Sequence, residues 1–146
     1  MPKIEKITKQ TENPYVNLYL VEGKNKMDHP FRYYVASRAK TMEALKIKTK
    51  KNTPDGVLMY SLYGEKRDKI VLVRQYRVSI DDYIYEFPAG LVEPGEEFHE
   101  AAVREMHEET GLTFHPLKVD PCYEKPFFTT IGMTDEACSA VYGWCE

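Results

Sequence analysis

Three carboxylates, Glu105, Glu108 and Glu109, fall three and four positions apart inside residues 90–112, GLVEPGEEFHEAAVREMHEETGL. On a helix this spacing sets them on neighbouring spots of one face, where like charges repel. Protons or cations must neutralise such a cluster, and at neutral pH an all-oxygen donor set suits a hard divalent ion, Mg²⁺ or Mn²⁺. The chemistry in view is metal-dependent chemistry on phosphate. Arg104 lies four residues after Glu100 and four before Glu108, so it can clamp the acids of loop and helix. An acidic helix alone is read as a solvated face paired to Arg or Lys. Here the flanks set it apart. A Phe87-Pro88-Ala89-Gly90 entry, a Pro94-Gly95-Glu96 loop and fixed Arg104-Glu105 and Glu108-Glu109 pairs occur together.

The elements that must position these acids are legible in outline. Nothing from 97 to 110 is Gly or Pro, so a helix runs there, and Gly111 supplies the left-handed residue that ends it. Before it, 56–62 and 69–75 read as strands flanking the 64–68 turn, with a third strand at 83–87. After it, 117–123 and 136–144 read as strands, the second apolar enough to be interior. At the start of the chain, alternation over 15–20, a turn at 23–26 and a returning strand at 31–35 predict an antiparallel hairpin. The run Lys46, Lys48, Lys50 and Lys51 is open between a solvated loop and phosphate steering.

Gly90, five residues, Glu96, seven residues, then Arg104-Glu105, Met106, His107, Glu108-Glu109, Thr110, Gly111 and Leu112 match the box of the Nudix hydrolases at every specified position. Val73-Arg74-Gln75-Tyr76-Arg77 and Tyr85-Glu86-Phe87-Pro88-Ala89-Gly90-Leu91 resemble the ADP-ribose pyrophosphatase branch of that family. Gly132-Met133-Thr134-Asp135-Glu136 is similar to a further segment of the branch, with Thr130-Ile131 in place of its Ser-Pro. The resemblance covers roughly residues 56 to 140.

What it implies is an α/β (α+β) fold, the Nudix alpha-beta-alpha sandwich with a mixed sheet, preceded by a small N-terminal antiparallel β subdomain. The division implied is 1–50 for the hairpin subdomain and basic linker and 51–146 for the Nudix domain. Glu105 and Glu109, helped by Glu108 and the Ala89 carbonyl, would bind Mg²⁺, or Mn²⁺ as a substitute. Bound metal lowers the pKa of a water that attacks phosphorus in line. Glu96 supports that cluster or pairs with Arg104, which completes the catalytic set. Arg77 either forks onto a phosphate or ribose-linked group or forms a surface ion pair, and Glu86 and Gly90 line the same pocket. The general base is open between Glu109, Glu108 and an acid further along the chain. The implied substrate is a nucleotide sugar, ADP-ribose giving AMP and ribose 5-phosphate. A UDP- or GDP-sugar, or a catalytically silent module that binds ADP-ribose, are the alternatives. A homodimer is implied, with Tyr19, Phe31, Tyr33 and Tyr34 open between interface, base stacking and plain strand packing.

Bulk properties restrict the rest. The chain has 146 residues, 42% hydrophobic and 29% charged, and a net charge of −3, which fits one modest core and gives no field attracting nucleic acid. No membrane segment or signal-like start is present, so no membrane partner is expected and a cytoplasmic location is the default. Cys122, Cys138 and Cys145 lack metal-ligand spacing and are expected as buried thiols, and His29, His99, His107 and His115 carry no ligand pattern. The chain stops at Glu146 directly after Ala140-Val141-Tyr142-Gly143-Trp144. The expectation is a truncated product or shortened gene, with an incomplete site and an exposed apolar edge.

Overall fold

The structure is a computed structural model that describes every residue from Met1 to Glu146. The chain divides into two compact units, Met1–Thr53 with Phe128–Glu136, and Pro54–Phe127 with Ala137–Glu146. Residues 128–136 therefore join the first unit rather than the domain that the sequence assigned to them.

In the first unit β1 (Lys3–Lys9), β2 (Asn17–Lys24) and β3 (Pro30–Ser37) form an antiparallel sheet with β2 in the centre. The predicted hairpin is β2 with β3, joined two to three residues later than expected, where the Asn25 side chain accepts from the Met27 and His29 N–H groups. β1 escaped the sequence reading because KIEKITK is an exposed edge whose alternation carries no clear apolar face. Central position buries Tyr19, Leu20 and Val21, and Leu45 packs in the same unit. Asn17 is buried but satisfied, its amide oxygen accepting from Asn13 N and its nitrogen donating to Asn13 O. The Lys-rich run is not a plain loop. It holds one helical turn, α1 (Lys46–Thr49), ended by Lys50 in the left-handed region, and the Lys46 ammonium donates to Thr53 O at 2.7 Å.

The second unit is organised around two parallel strands, β4 (Gly56–Tyr63) and β11 (Ala137–Cys145), in register from Gly56 opposite Cys138 to Tyr63 opposite Cys145. β5 (Lys69–Ile70) pairs with the end of β4, and β8 (Ala89–Leu91) pairs with its start. β9 (Phe114–Pro116) and β10 (Phe127–Phe128) flank β11 on its other side. The apolar C-terminal strand is consequently interior, as predicted, and the expected exposed apolar edge is absent from it. Its alternating burial reflects two covered faces.

Two strand predictions need correction. Residues 69–75 do not form one strand, because Val71 turns into the core with its N–H on Ser61 O, and the chain then leaves the sheet. It forms a separate hairpin, β6 (Val73–Arg77) with β7 (Asp82–Glu86). Residues 117–123 are not a strand either. Pro116 and Pro121 each lack a ladder donor, and the segment instead carries a 3-10 turn over Pro121–Tyr123 whose Cys122 N–H is capped by Asp120 at 2.9 Å. Cys122, on that turn, is exposed and Cys138 in β11 is half-buried, so the expectation of buried thiols holds for Cys145 alone.

The predicted helix is α2 (Phe98–Thr110). Glu97 caps it by accepting from His99 N at 2.8 Å, and Gly111 closes it at φ 73°, donating to His107 O. Ala101, Ala102 and Met106 face a core of Val57, Met59, Val71, Phe114, Val141 and Cys145. The buried face of α2 fixes which way its carboxylates point, and the mixed sheet with this helix is the expected fold class. No helix is long and apolar enough to cross a membrane.

Candidate active site

Pairing of β8 with β4 sets Gly90 opposite Val57 and carries Ala89 and Gly90 beneath α2. The Glu105 carboxylate then lies directly over Gly90, in space that a Cβ would need. This is a close approach of backbone and carboxylate that only glycine permits. Gly90→Ala is therefore expected to push Glu105 aside and lower turnover by about 100-fold, with the helix intact; circular dichroism beside steady-state kinetics checks both.

Arg104 holds Glu105 from the other side. Its Nη1 donates to Glu105 at 2.9 Å, its Nε and Nη2 fork onto both oxygens of Glu96 at 2.9 Å, and Nη2 also reaches Leu91 O at 3.1 Å. Glu108 stands 3.6 Å from the same guanidinium and is largely exposed. The clamp predicted for Arg104 is thus present, but its main partners are Glu96 and Glu105 rather than Glu100. The guanidinium beside Glu96, with the Glu93 N–H at 2.9 Å, holds the Glu96 carboxyl down at about 2. Of the two roles open to Glu96, pairing with Arg104 is the one that its oxygens occupy.

Glu109 accepts from Ala89 N at 3.2 Å. Partial burial raises its pKa, with Glu105 and Glu86 adding to the rise, while the Ala89 N–H and Arg77 oppose it. Glu105, Glu109 and Glu86 therefore crowd negative charge around Ala89 and Gly90 of β8, a crowding that a divalent cation would relieve. As placed, no three His, Cys, Asp or Glu side chains are gathered as ready ligands. Glu96 and Glu105 turn to Arg104 and Glu108 turns to solvent. The oxygen donor set fits a hard cation in its chemistry, with Glu105 and Glu109 as the pair facing Ala89 and Gly90.

Arg77 is not free. Its guanidinium forks onto Glu86 at 2.7 and 2.9 Å, so two residues expected to face substrate are bonded to each other. Arg77 still interacts electrostatically with Glu109, which keeps it beside the acids. In the first unit Tyr19 is fully buried and donates to Ala39 O at 2.6 Å, which makes it packing and removes it as a stacking candidate. Phe31 is half-buried, Tyr33 and Tyr34 are exposed, and Tyr33 donates to Gly132 O.

Sequence reasoning passed over His99. Its ring lies between Glu97 at 2.9 Å and Glu124 at 2.8 Å. Glu97 could have been noticed two residues away, but nothing local marks Glu124, which arrives through the fold of residues 117–126.

A family model described as "NUDIX domain" matches residues 52–142. Over 80 residues the chain is 35% identical to the ADP-ribose pyrophosphatase of Saccharomyces cerevisiae, covering 53% of this chain and 35% of that protein. Over 87 residues it is 36% identical to the ADP-sugar pyrophosphatase of Mus musculus, covering 58% and 40%. The chain thus spans well under half the length of these curated relatives. A crystal structure of an ADP compounds hydrolase superposes with a TM-score of 0.71 at 20% identity, covering 98% of this chain and 66% of that one.

Proposed function

The chain belongs to the NUDIX family, and from that premise we propose that it hydrolyses the pyrophosphate bond of a nucleoside diphosphate linked to a sugar. ADP-ribose, giving AMP and ribose 5-phosphate, is the first choice, supported by the activities for which the yeast and mouse relatives are named. The observation that carries the reading is the convergence of Glu105 and Glu109 on Ala89 and Gly90 of β8.

Nudix hydrolases generally use divalent metal ions, and Glu105 and Glu109 with the Ala89 carbonyl are the groups that would hold Mg²⁺ or Mn²⁺ here. When bound, such an ion neutralises phosphate charge and makes a water nucleophilic at neutral pH. The protein's own contribution is placement. Gly90 lets the backbone come close to the Glu105 carboxylate, Arg104 fixes that carboxylate, and the Ala89 N–H fixes Glu109. Arg77, pre-set by Glu86, offers a planar fork that a substrate phosphate can take over from the carboxylate. Glu109, whose partial burial raises its pKa, is the candidate to accept the proton of the attacking water.

A second reading is a silent module that binds ADP-ribose, favoured by the hold of Arg104 on Glu105, which occupies one of its carboxylate oxygens. The exposed Tyr33 and Tyr34 support self-association as a homodimer, for which sedimentation is the check. A panel of ADP-ribose, UDP-sugars and GDP-sugars with Mg²⁺, read as phosphate released by an added phosphatase, separates the readings. Turnover fastest with ADP-ribose is expected. Binding of ADP-ribose with no turnover of any nucleotide sugar would make the chain a binding module.

A further inference from the structure

Both ring nitrogens of His99 face carboxylates: Nδ1 is 2.9 Å from Glu97 Oε1 and Nε2 is 2.8 Å from Glu124 Oε1. An ionised carboxylate only accepts hydrogen bonds, and a neutral imidazole has a single N–H. Both contacts are satisfied together only when the ring carries both protons. With one proton, a nitrogen lone pair is left facing a carboxylate at hydrogen-bond distance.

The partners of His99 belong to two different elements. Glu97 is the N-cap of α2, holding the His99 N–H through Oε2 while Oε1 meets the ring. Glu124 ends the 3-10 turn, its side chain only 15% exposed, and its own carbonyl is pinned to β11 by Ser139 Oγ at 2.9 Å. These two carboxylates are the charged groups facing the ring, and the Phe98 ring lies 4.0 Å from it. Glu96, the residue before the cap, forks onto Arg104, and Arg104 holds Glu105. Two sets of charge-assisted bonds, Glu124–His99–Glu97 and Glu96–Arg104–Glu105, are thus joined through the backbone between Glu96 and Glu97, and link residues 117–126 to the acid over Gly90.

We propose that His99 is a positioning residue: bridging Glu97 and Glu124 as an imidazolium, it fastens residues 117–126 to the first turn of the catalytic helix and releases them when it loses a proton. Burial and the positive end of the helix both work against the charged ring, and the two carboxylates outweigh them, raising its pKa. A raised histidine contributes stability that is complete below its ordinary value and is lost as pH rises through its folded value.

The activity part rests on the hydrolase reading, so two measurements independent of turnover accompany it. NMR titration of the His99 ring should give a midpoint above the ordinary histidine value of about 6.5, falling in Glu124→Gln. A double-mutant cycle on unfolding, with His99→Gln and Glu124→Gln, should show about tenfold coupling near pH 6 that shrinks below about twofold near pH 9. If His99→Gln does not fold, His99→Asn takes its place in the cycle. In turnover, wild type should exceed the His99 variant in kcat by about threefold to tenfold near pH 6, the ratio approaching one near pH 9 with KM little changed. An ordinary midpoint unmoved by Glu124→Gln, or coupling that is absent or equal at both pH values, overturns the latch. A wild type that turns over nothing overturns the hydrolase reading instead, while the titration and the cycle still decide the latch.

Discussion

Glu109→Gln is expected to lower kcat on a nucleotide sugar by about 10³-fold while leaving the fold intact. The substitution removes the charge that would bind a divalent ion and accept a proton, but the amide oxygen still takes the Ala89 N–H that now reaches Glu109 at 3.2 Å. Stability without metal should move the other way. Burial, then Glu105 and Glu86, push the Glu109 carboxyl above its ordinary range, so its ionised form is disfavoured in the folded state. A carboxylate raised in this way gives stability that is present below its unfolded value and lost as pH rises through its folded value. The neutral glutamine escapes that loss, and the variant should melt no lower than wild type at pH 7 without metal, and lower than wild type once Mg²⁺ is added. Calorimetry with and without Mg²⁺, beside initial rates, tests the opposed directions. A variant with full activity would remove Glu109 from the site.

Arg104→Lys should cost about 10- to 100-fold in kcat/KM, the range found when the groups orienting metal ligands are removed. Lysine keeps the charge but is a point donor. It cannot fork onto both oxygens of Glu96 and at the same time reach Glu105 and Leu91 O, as the guanidinium does. The stability lost has a pH signature. Glu96 has a folded value of about 2 against an ordinary 4.5, so the clamp stabilises fully above the ordinary value and is lost as pH falls through about 2. The gap between variant and wild type in urea midpoint should therefore be constant from neutral pH down to about 5 and close steadily below that. A gap independent of pH across that window would show that Arg104 stabilises by packing alone.

The residues that were legible in the sequence are those whose roles are set locally. Spacing put Glu105, Glu108 and Glu109 on one helix, the absence of Gly and Pro drew α2 almost to its observed ends, and Gly111 closed it. What spacing could not tell was the direction of each carboxylate. The burial of Ala101, Ala102 and Met106 decides that, and it aims Glu105 at Gly90 and leaves Glu108 in solvent. Pairings across the chain were illegible for the same reason. Arg77 met Glu86 because the hairpin of β6 with β7 is a separate element, which the apolar run 69–75 concealed. The apolar residues of 117–123 suggest a strand, but Pro121 cannot donate to a ladder, and the 3-10 turn formed there instead carries Glu124, the partner of His99. The N-terminal tyrosines divided by position in the sheet: Tyr19 on the central strand is core, and Tyr33 and Tyr34 on β3 remain exposed.

The proposed metal-dependent cleavage of a pyrophosphate bond rests on Glu105 and Glu109 over Ala89 and Gly90 of β8. Its most direct test is chromatographic measurement of AMP formed from ADP-ribose by the wild-type chain and by Glu109→Gln, with Mg²⁺ and after chelation. The prediction is AMP and ribose 5-phosphate in equal amounts from wild type with Mg²⁺, none after chelation, and formation slowed by about 10³-fold in the variant. Equal AMP formation by wild type and variant, or none by wild type with Mg²⁺ while ADP-ribose is still bound, would contradict it.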